Sequence, residues 1–438
     1  MEAEKILGVA KKAGAQQAEV FQVSNEEIPV KFEANRLKEL NARQTAGTAL
    51  RVIANGRIGF ASSTLPGDVD GLVQAAMETA PFGPEAHFDF PCKAEPANVA
   101  VHDTATERLS VDEMIDMGQR LVDAVRLAEP EIQCEAHIRR TSGTVSLANS
   151  SGGEFLYKDS MLSVWAYGTL IRGTDMLFVG DGDASCGPAV DIGRIEQEIA
   201  AQLKRSRRNA EARTAEMPVV FTSLGVVEAL MGPLTMAFNG RLVHQGQSPL
   251  GGCLGEEKYH SGISIYDDAT LAMRPGARPY DDEGVPSRRT PLIEQGVVRN
   301  FLYDLQTAAM AKAQSTGSAQ RSLTTQPAIG MTCVTIGTGD SSFEEMVGGV
   351  KEGIVVEELM GAGQGNVMGG DFSGNVLLGY KIENGEIVGR VKNTIVAGNV
   401  HEALRNVAAI GREARWVGGT VCAPPMMVEH LAVSAGGS

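Results

Sequence analysis

The chain has 438 residues, of which 43% are hydrophobic and 21% charged, and this composition is that of a folded protein rather than a disordered one. Its formal net charge of -15 disfavours direct nucleic-acid binding, because such proteins concentrate Lys and Arg against phosphates. The six cysteines are scattered without a C-x-x-C pair, which indicates a reducing compartment and argues against a disulfide framework or a zinc knuckle.

The amino-terminal half alternates helical and strand-like patterns. Residues 1–10 are predicted to be helical, and their charges without a long apolar run argue against a signal peptide. Three short strands are predicted at residues 19–23, 28–32 and 48–53. Asn55-Gly56 indicates a tight hairpin after the third of them. A helix is expected at residues 68–80.

A connector rich in Pro and Ala, residues 81–100, precedes the next predicted helix. Ser110 and Glu113 form a capping-box pattern, in which the hydroxyl and the carboxylate each satisfy a free amide of the first turn. Strands are then predicted at residues 131–139, 143–148, 154–158 and 161–170. Apolar residues at helical spacing predict a helix at residues 191–205.

A polar stretch at residues 207–216 is the main predicted boundary, and short strands follow it. They include residues 290–304, 353–358 and 376–391, the last being a hairpin about Asn384-Gly385. Ser342 and Glu345 form a second capping box. The predicted fold class is α+β, with a mixed amino-terminal domain (1–213) followed by a larger strand-rich carboxy-terminal domain (214–438). A division of the first domain near residues 81–105 is left open.

Residues 219–238 are apolar enough, and about long enough, to raise the question of a membrane span. They contain Glu228 near the middle, and a charge at the bilayer centre costs roughly 2.5–3.5 kcal/mol even on insertion scales. A buried strand followed by a core helix explains the segment better, and a soluble, cytoplasmic protein is expected. The helix should present a continuous apolar stripe made of Val227, Leu230, Met231, Leu234 and Phe238.

The seven histidines give no standard catalytic signature. Neither H-E-x-x-H nor H-E-x-x-x-H occurs, so the sequence lacks two imidazoles on adjacent helical turns for zinc. His401-Glu402 is interpreted as an ordinary helix start. A looser group, His244, Cys253 and His260, has ligand types that suit zinc but spacings that match no familiar site. It is kept as an alternative metal site.

Other familiar catalytic motifs do not occur in the sequence. There is no G-x-S-x-G nucleophile elbow and no G-x-x-x-x-G-K-[ST] phosphate loop. Asp281-Asp282-Glu283 is a carboxylate cluster without a paired base, and a solvated turn is expected there. The residues alone therefore predict an α+β protein without a recognisable catalytic site.

Seven short strings occur, from about residue 215 onward, in an order that resembles the TldD/PmbA family, proteins once labelled modulators of DNA gyrase. Each string is weak by itself, and their shared order across half the chain carries the resemblance. They are DEGVP at 282–286 with RT at 289–290, FLYD at 301–304, STGSA at 315–319, ELMG at 358–361, GDFS at 370–373, IENGE at 382–386 and IVAGN at 395–399.

The resemblance implies a pair of related subunits, of which the TldD type carries H-E-x-x-x-H on a helix after a strand and binds zinc. The matching strand here is residues 218–221, and the motif positions are Val227, Glu228 and Gly232. Valine and glycine cannot coordinate a metal, so we assign no catalytic residue and expect zinc only in a TldD-type partner. Cys422 lies near the place of a cysteine ligand in the active type, yet one thiolate cannot hold zinc alone.

The resemblance therefore implies a non-catalytic TldE/PmbA-like subunit of a cytosolic metalloprotease that acts on unfolded peptides and small proteins. Its expected partner is a TldD-type subunit, or a second copy of the chain in a homodimer. Two alternatives remain: a regulatory protein that binds gyrase or a toxin–antitoxin pair without proteolysis, and an independent hydrolase with an unrecognised site. Neither nucleic acid nor a membrane is an expected partner.

Overall fold

A computed structural model describes residues 2–436 of the chain. The amino-terminal half of that range combines helices with one long-stranded sheet. Its helices are α1 (Glu2–Lys12), α2 (Val69–Thr79), α3 (Thr104–Arg108), α4 (Val111–Ala128) and α5 (Ile192–Arg205), with a short 3-10 turn at Ala80–Phe82. Its strands are β1 (Gln17–Glu33), β2 (Arg36–Leu40), β3 (Arg43–Ala54), β4 (Arg57–Ser63), β5 (Gln133–Asn149), β6 (Glu154–Arg172) and β7 (Asp175–Ser185).

The strands of this half form an antiparallel sheet in the order β4-β3-β1-β5-β6-β7, and β2 pairs with the end of β1. Asn55 and Gly56 have φ of 50° and 73°, the backbone of a two-residue hairpin turn, and they join β3 to β4 as predicted. Helices cover one face of the sheet. The other face looks towards the second half, where Phe155 meets Tyr280 with ring centroids 4.7 Å apart.

The carboxy-terminal half is richer in strands. Its helices are α6 (Ser223–Ala237), α7 (Gly240–His244), α8 (Leu305–Met310), α9 (Phe343–Gly348) and α10 (Val400–Arg405), with a 3-10 turn at Val367–Gly369. Its strands are β8 (Ala215–Phe221), β9 (Ile265–Asp268), β10 (Arg289–Glu294), β11 (Val297–Val298), β12 (Ala319–Gln320), β13 (Ala328–Ile329), β14 (Val334–Ile336), β15 (Glu352–Met360), β16 (Asp371–Glu383), β17 (Glu386–Arg390), β18 (Thr394–Asn399), β19 (Val407–Ile410), β20 (Arg415–Val417), β21 (Val421–Ala423) and β22 (Met426–Ala435).

The larger sheet of this half has the order β15-β8-β22-β18-β16-β17. Because β15 also pairs with β16, the strands β8, β15, β16, β18 and β22 close into a ring of pairings. Strand β8 is a member of this ring. It pairs with the parallel strand β15 on one side and with the antiparallel strand β22 on the other. A smaller sheet, β11-β10-β9-β14-β21-β20, accompanies the ring. Closure removes exposed strand edges.

The two halves share a hydrophobic core. Ile195 and Ile199 of α5 pack with Val220, Val355 and Tyr380 from the ring. The residues of α6 belong to a different core, built by the carboxy-terminal half alone. The predicted boundary near residue 213 falls in the connection between α5 and β8, and the division into domains stays a prediction.

The predicted α+β class is confirmed, and so are both capping boxes and the hairpin at Asn384-Gly385. Several predicted strand breaks are wrong. Residues 19–23 and 28–32 belong to the single strand β1, and β5 and β6 each join two predicted strands. The polar residues 24–27 stay extended because they pair with β3 on one side and with β5 on the other.

Residues 219–238 form the end of β8 followed by α6, as predicted. Among residues 2–436, no helix has the length and apolar character needed to cross a membrane.

Candidate functional site

Helix α6 begins where strand β8 ends. Thr222 caps it, since the side-chain oxygen accepts a hydrogen bond from the amide of Gly225 at 3.3 Å and satisfies one free amide of the first turn. A Cβ added to Gly225 would stand 2.5 Å from the carbonyl oxygen of Val356 in β15. The start of α6 is therefore fixed at the end of β8 and close against β15.

One face of α6 is buried and the other is accessible. The buried face consists of Val226, Ala229, Leu230, Pro233, Leu234 and Ala237. Val227 and Glu228 are half-buried, and Gly232 is exposed with nothing within 4 Å of an added Cβ. The three positions that match the metal motif therefore lie together on the accessible face.

The predicted apolar stripe on α6 is only partly right. Leu230, Leu234 and Phe238 are core residues, whereas Val227 and Met231 lie at the margin of the core. The difference arises because the helix is apolar nearly all round, so that periodicity alone does not fix which face is buried.

Glu228 is the ionisable group of the accessible face. Its carboxylate accepts a hydrogen bond from the backbone amide of Leu359 in β15. The pKa of Glu228 is raised to about 7, chiefly by burial. The hydrogen bond from the Leu359 amide opposes this rise, and the negative charges of Glu358 and Glu357 contribute to it. Near neutral pH the side chain can therefore either accept or donate a proton.

The residues around Glu228 do not fit a zinc ion. Val227 has a hydrocarbon side chain and Gly232 has none, so the helix offers a single carboxylate where three ligands would be needed. Cys422 lies on β21, which packs against α6. Across the described range, no group of three or more His, Cys, Asp and Glu side chains could hold a metal ion.

The alternative metal site gains no support from the structure. His244 and His260 are exposed, whereas Cys253 is buried, with its sulfur 3.9 Å from the carbonyl oxygens of Pro249 and Gly251. His401, the other histidine considered, is the second residue of α10, and its backbone amide donates to the side chain of the capping Asn399, so the predicted helix start is confirmed.

An aromatic pair on β6 lies near the accessible face of α6. Trp165 and Tyr167 stack with ring centroids 6.2 Å apart. Burial raises the pKa of Tyr167, and the negative charges of Glu358, Asp181 and Glu228 raise it further, which places the phenol within the electrostatic reach of α6 and β15. A cavity of about 480 Å³ runs along this side of the sheet, lined by Lys31, His137, Arg139, Trp165 and Tyr167, among others.

Sequence reasoning gave no role to Glu357 and Glu358. Both lie on β15 directly after the apolar run Ile354, Val355 and Val356. Successive residues of a strand point to opposite faces, so two adjacent acids in a covered strand cannot both reach solvent freely. The signal in the sequence is therefore an acidic pair at the end of a strongly apolar strand.

The prediction of a solvated turn at Asp281-Asp282-Glu283 is wrong, because all three side chains are buried. Arg51 of β3 donates to Glu283 at 2.7 Å and forms an ion pair with Glu19 of β1 at 3.1 Å.

Backbone amides and a second arginine complete this network. Arg321 donates to Glu19 at 2.8 Å. The carboxylate of Asp281 accepts hydrogen bonds from the amides of Glu283, Val285 and Ala319. These charged side chains can be buried because each is paired with an opposite charge or hydrogen-bonded. Glu283 of the DEGVP string therefore links the carboxy-terminal half to Arg51 of the amino-terminal half.

Two family models match the chain. One is described as the PmbA/TldA metallopeptidase C-terminal domain and matches residues 214–435, and the other is described as PmbA/TldA metallopeptidase domain 1 and matches residues 18–80. A metalloprotease of Methanothermobacter thermautotrophicus is 27% identical over 405 residues, covering 87% of this chain and 84% of that protein. Metalloprotease PmbA of Escherichia coli O157:H7 is 25% identical over 418 residues, covering 90% and 87%.

Solved structures share the fold. TldE from Thermococcus kodakarensis superimposes with a TM-score of 0.87 at 23% identity, over 99% of both chains. A Thermotoga maritima protein described as a candidate modulator of a DNA gyrase superimposes with a TM-score of 0.89 at 21% identity, over 98% of this chain and 99% of that one.

Proposed function

This chain belongs to the PmbA/TldD metallopeptidase family, and from that premise we propose that it is a non-catalytic TldE/PmbA-like subunit that pairs with a zinc-bearing TldD-type subunit. The observation that carries the proposal is the accessible face of α6. It keeps Glu228 in a properly capped helix at the end of β8, but it presents Val227 and Gly232 in place of metal ligands.

Glu228 cannot replace the missing ligands. A zinc peptidase uses its ion to lower the pKa of a bound water towards neutrality. A general base without such a water has only bulk water, with a pKa near 15.7, to deprotonate. Glu228 can hold or release a proton, but the chain offers no activated nucleophile beside it.

The subunit is proposed to help hold an unfolded peptide in the cytosol. The sheet face that carries Trp165 and Tyr167 offers aromatic contacts, and His137 and Arg139 line the same cavity. Aromatic rings along a cavity supply apolar contact area to a bound peptide, and the few polar groups beside them fix its orientation. This surface lies near Glu228 and Glu358, so a peptide could run from one half to the other.

The proposal is tested by separating and recombining the subunits. The full chain alone is incubated with an unstructured peptide, and then together with a TldD-type subunit from the same host. We expect no cleavage by this chain alone, cleavage by the mixture, and co-elution of both subunits in size-exclusion chromatography. The matched control is a mixture in which both histidines of the partner's H-E-x-x-x-H motif are replaced by alanine.

The metal content of this chain gives an independent test. Elemental mass spectrometry of the tag-free protein from its own host should find almost no zinc. About one zinc per chain would overturn the proposal. If the chain alone cleaved peptides and His244→Ala or His260→Ala abolished the activity, the independent-hydrolase alternative would replace it. Capture of gyrase or an antitoxin without any TldD-type subunit would favour the regulatory alternative.

A further inference from the structure

A second cavity, of about 300 Å³, lies at the amino end of α6. It forms where α5, α6 and β15 meet the first residues of α9 and β20. None of the three motif positions on the accessible face of α6 lines it. The lining includes Glu198, Arg205, Ser223, Phe343, Glu357 and Arg415.

Glu357 is the feature that points to a ligand. Its side chain is 1% exposed, and its Oε2 has no hydrogen-bond partner among residues 2–436. Arg205 Nη1 lies 3.7 Å from this oxygen, which is close enough for an ion pair but too long for a hydrogen bond. An unsatisfied buried carboxylate is costly, so such a group normally faces a donor that completes it.

The arginines at the cavity do not supply that donor. Arg415 donates to Asp181 at 3.2 Å and stands 3.8 Å from Glu198. Arg205 stands 3.9 Å from Glu198, and its guanidinium lies over the ring of Phe343, 5.6 Å from the centroid. The arginines therefore offset the charge of Glu198 and Glu357 without satisfying the Glu357 oxygen.

We propose that this cavity binds a ligand that carries a primary ammonium group, with the ammonium donating to the unpartnered Oε2 of Glu357. An ammonium has three N–H donors and no acceptor, so it supplies the donor that the Glu357 oxygen lacks. Its hydrogen bonds to a carboxylate are charge-assisted and therefore stronger than neutral ones. The site is separate from the α6 face on which the proposed function depends.

The remaining walls indicate how the ligand is oriented. Phe343 and Pro425 offer apolar contacts for a short carbon stem. Thr222 and Ser223, at the amino end of the 15-residue α6, border the same cavity. The positive end of the helix dipole favours an electronegative atom there. The amino terminus of a peptide has an ammonium for the Glu357 carboxylate and, close to it, a carbonyl oxygen for the amino end of α6. A lysine side chain has the ammonium alone.

Binding should depend on pH. The pKa of Glu357 is raised to about 7, chiefly by burial and also by the negative charge of Glu198, while the positive charges of Arg415 and Arg205 oppose the rise. The other charged and titratable groups within its electrostatic reach are Asp181 on β7, Tyr380 on β16 and Glu228 on α6. Because only the ionised carboxylate attracts a cation, affinity should increase as the pH rises from 6 to 8, and binding near pH 7 should release protons.

The test is calorimetric titration of the full chain with two amines. Nα-acetyl-lysine amide keeps its side-chain charge throughout the range from pH 6 to pH 8, and glycinamide, titrated at pH 7, presents an α-ammonium beside a carbonyl. Saturable binding of either amine is expected, and the tighter one identifies the source of the ammonium. The neutral control ligand is N-acetylglycinamide.

Two variants locate the binding site. Glu357→Gln removes the buried charge and should weaken binding by about tenfold or more, which is the effect expected of a charge-assisted hydrogen bond. Glu413→Gln removes one charge from an exposed lining residue and should leave affinity nearly unchanged. If Glu357→Gln fails to fold, Glu198→Gln takes its place. No saturable binding of either amine would mean that the cavity holds only water, and full binding by a folded Glu357→Gln variant would equally overturn the proposal.

Discussion

Glu228 is an ionisable residue on the accessible face of α6, with Val227 and Gly232 at the two other motif positions. Its burial and its neighbours Glu357 and Glu358 raise its pKa, and the Leu359 amide is the hydrogen-bond donor that opposes the rise. Such a carboxyl binds more protons in the folded chain than in the unfolded chain. Stability is therefore expected to fall as the pH rises from about 4.5 to about 7.

Glu228→Gln should stabilise the protein at pH 8 by about 1–3 kcal/mol and have little effect at pH 5, because the amide cannot ionise and its oxygen can still accept from Leu359. Urea unfolding at both pH values measures this. Glu386→Gln, on the exposed hairpin between β16 and β17, controls for the loss of one negative charge. Equal stabilisation at pH 5 and pH 8 would contradict the prediction.

Gly232 offers a second test at the scale of one residue. It lies inside α6 directly before Pro233, and no group other than its chain neighbours lies within 4 Å of an added Cβ. Gly232→Ala should stabilise the chain by less than about 1 kcal/mol, because the lower entropy of the unfolded chain and the better helix propensity are partly offset by steric contact between the new methyl group and the Pro233 ring. Thermal unfolding measures the change. The control is Gly56→Ala, where φ is 73° and the same substitution should destabilise the chain. A loss of stability in Gly232→Ala would contradict the prediction and would show that the contact with Pro233 outweighs these gains.

At the scale of elements, caps and turns were predictable because their chemistry is local. Ser110 with Glu113 and Ser342 with Glu345 form the expected boxes, and Asn384-Gly385 turns between β16 and β17. The continuity of β1 was not predictable, because pairing with β3 and β5 overrides the polar character of residues 24–27.

The candidate site was predictable only in part. The resemblance identified Val227, Glu228 and Gly232 by position, but the accessibility of that face depends on what packs around an all-round apolar helix. Asp282 pairs with the nearby Arg278, whereas Glu283 pairs with Arg51, which is far away in sequence. Burial of the whole cluster could therefore not be inferred from its sequence neighbours alone. The same holds for Glu357, whose surroundings come from four other elements.

The start of α6 should depend on Thr222. Thr222→Ala removes the cap and should cost about 1 kcal/mol of unfolding free energy. The measurement is urea unfolding, with Thr222→Ser as the control, because serine keeps a side-chain oxygen for the Gly225 amide. If alanine and serine destabilised the protein equally, the methyl group and not the cap would be responsible.

At the scale of the whole molecule, the buried charges at Arg51 join the two halves. Arg51→Met should destabilise the chain by about 3–5 kcal/mol, because Glu19 and Glu283 would lose a partner while still buried. Urea unfolding measures the loss. Arg43→Met is the matched control, since Arg43 lies on the same strand, is exposed and forms an ion pair with the part-exposed Glu39. It should cost less than about 1 kcal/mol. A small effect of Arg51→Met would mean that the halves hold together without these ions.

The closed ring of strands has a consequence for synthesis on the ribosome. Strand β8 is the first strand of this half to be made, yet its antiparallel neighbour β22 emerges only about 200 residues later. Until then the nascent chain carries an unpaired edge on β8, which is open to wrong pairing. Closure of the ring therefore has to wait for β22, and a ribosome stalled before Met426 is expected to carry an intermediate with this edge still open.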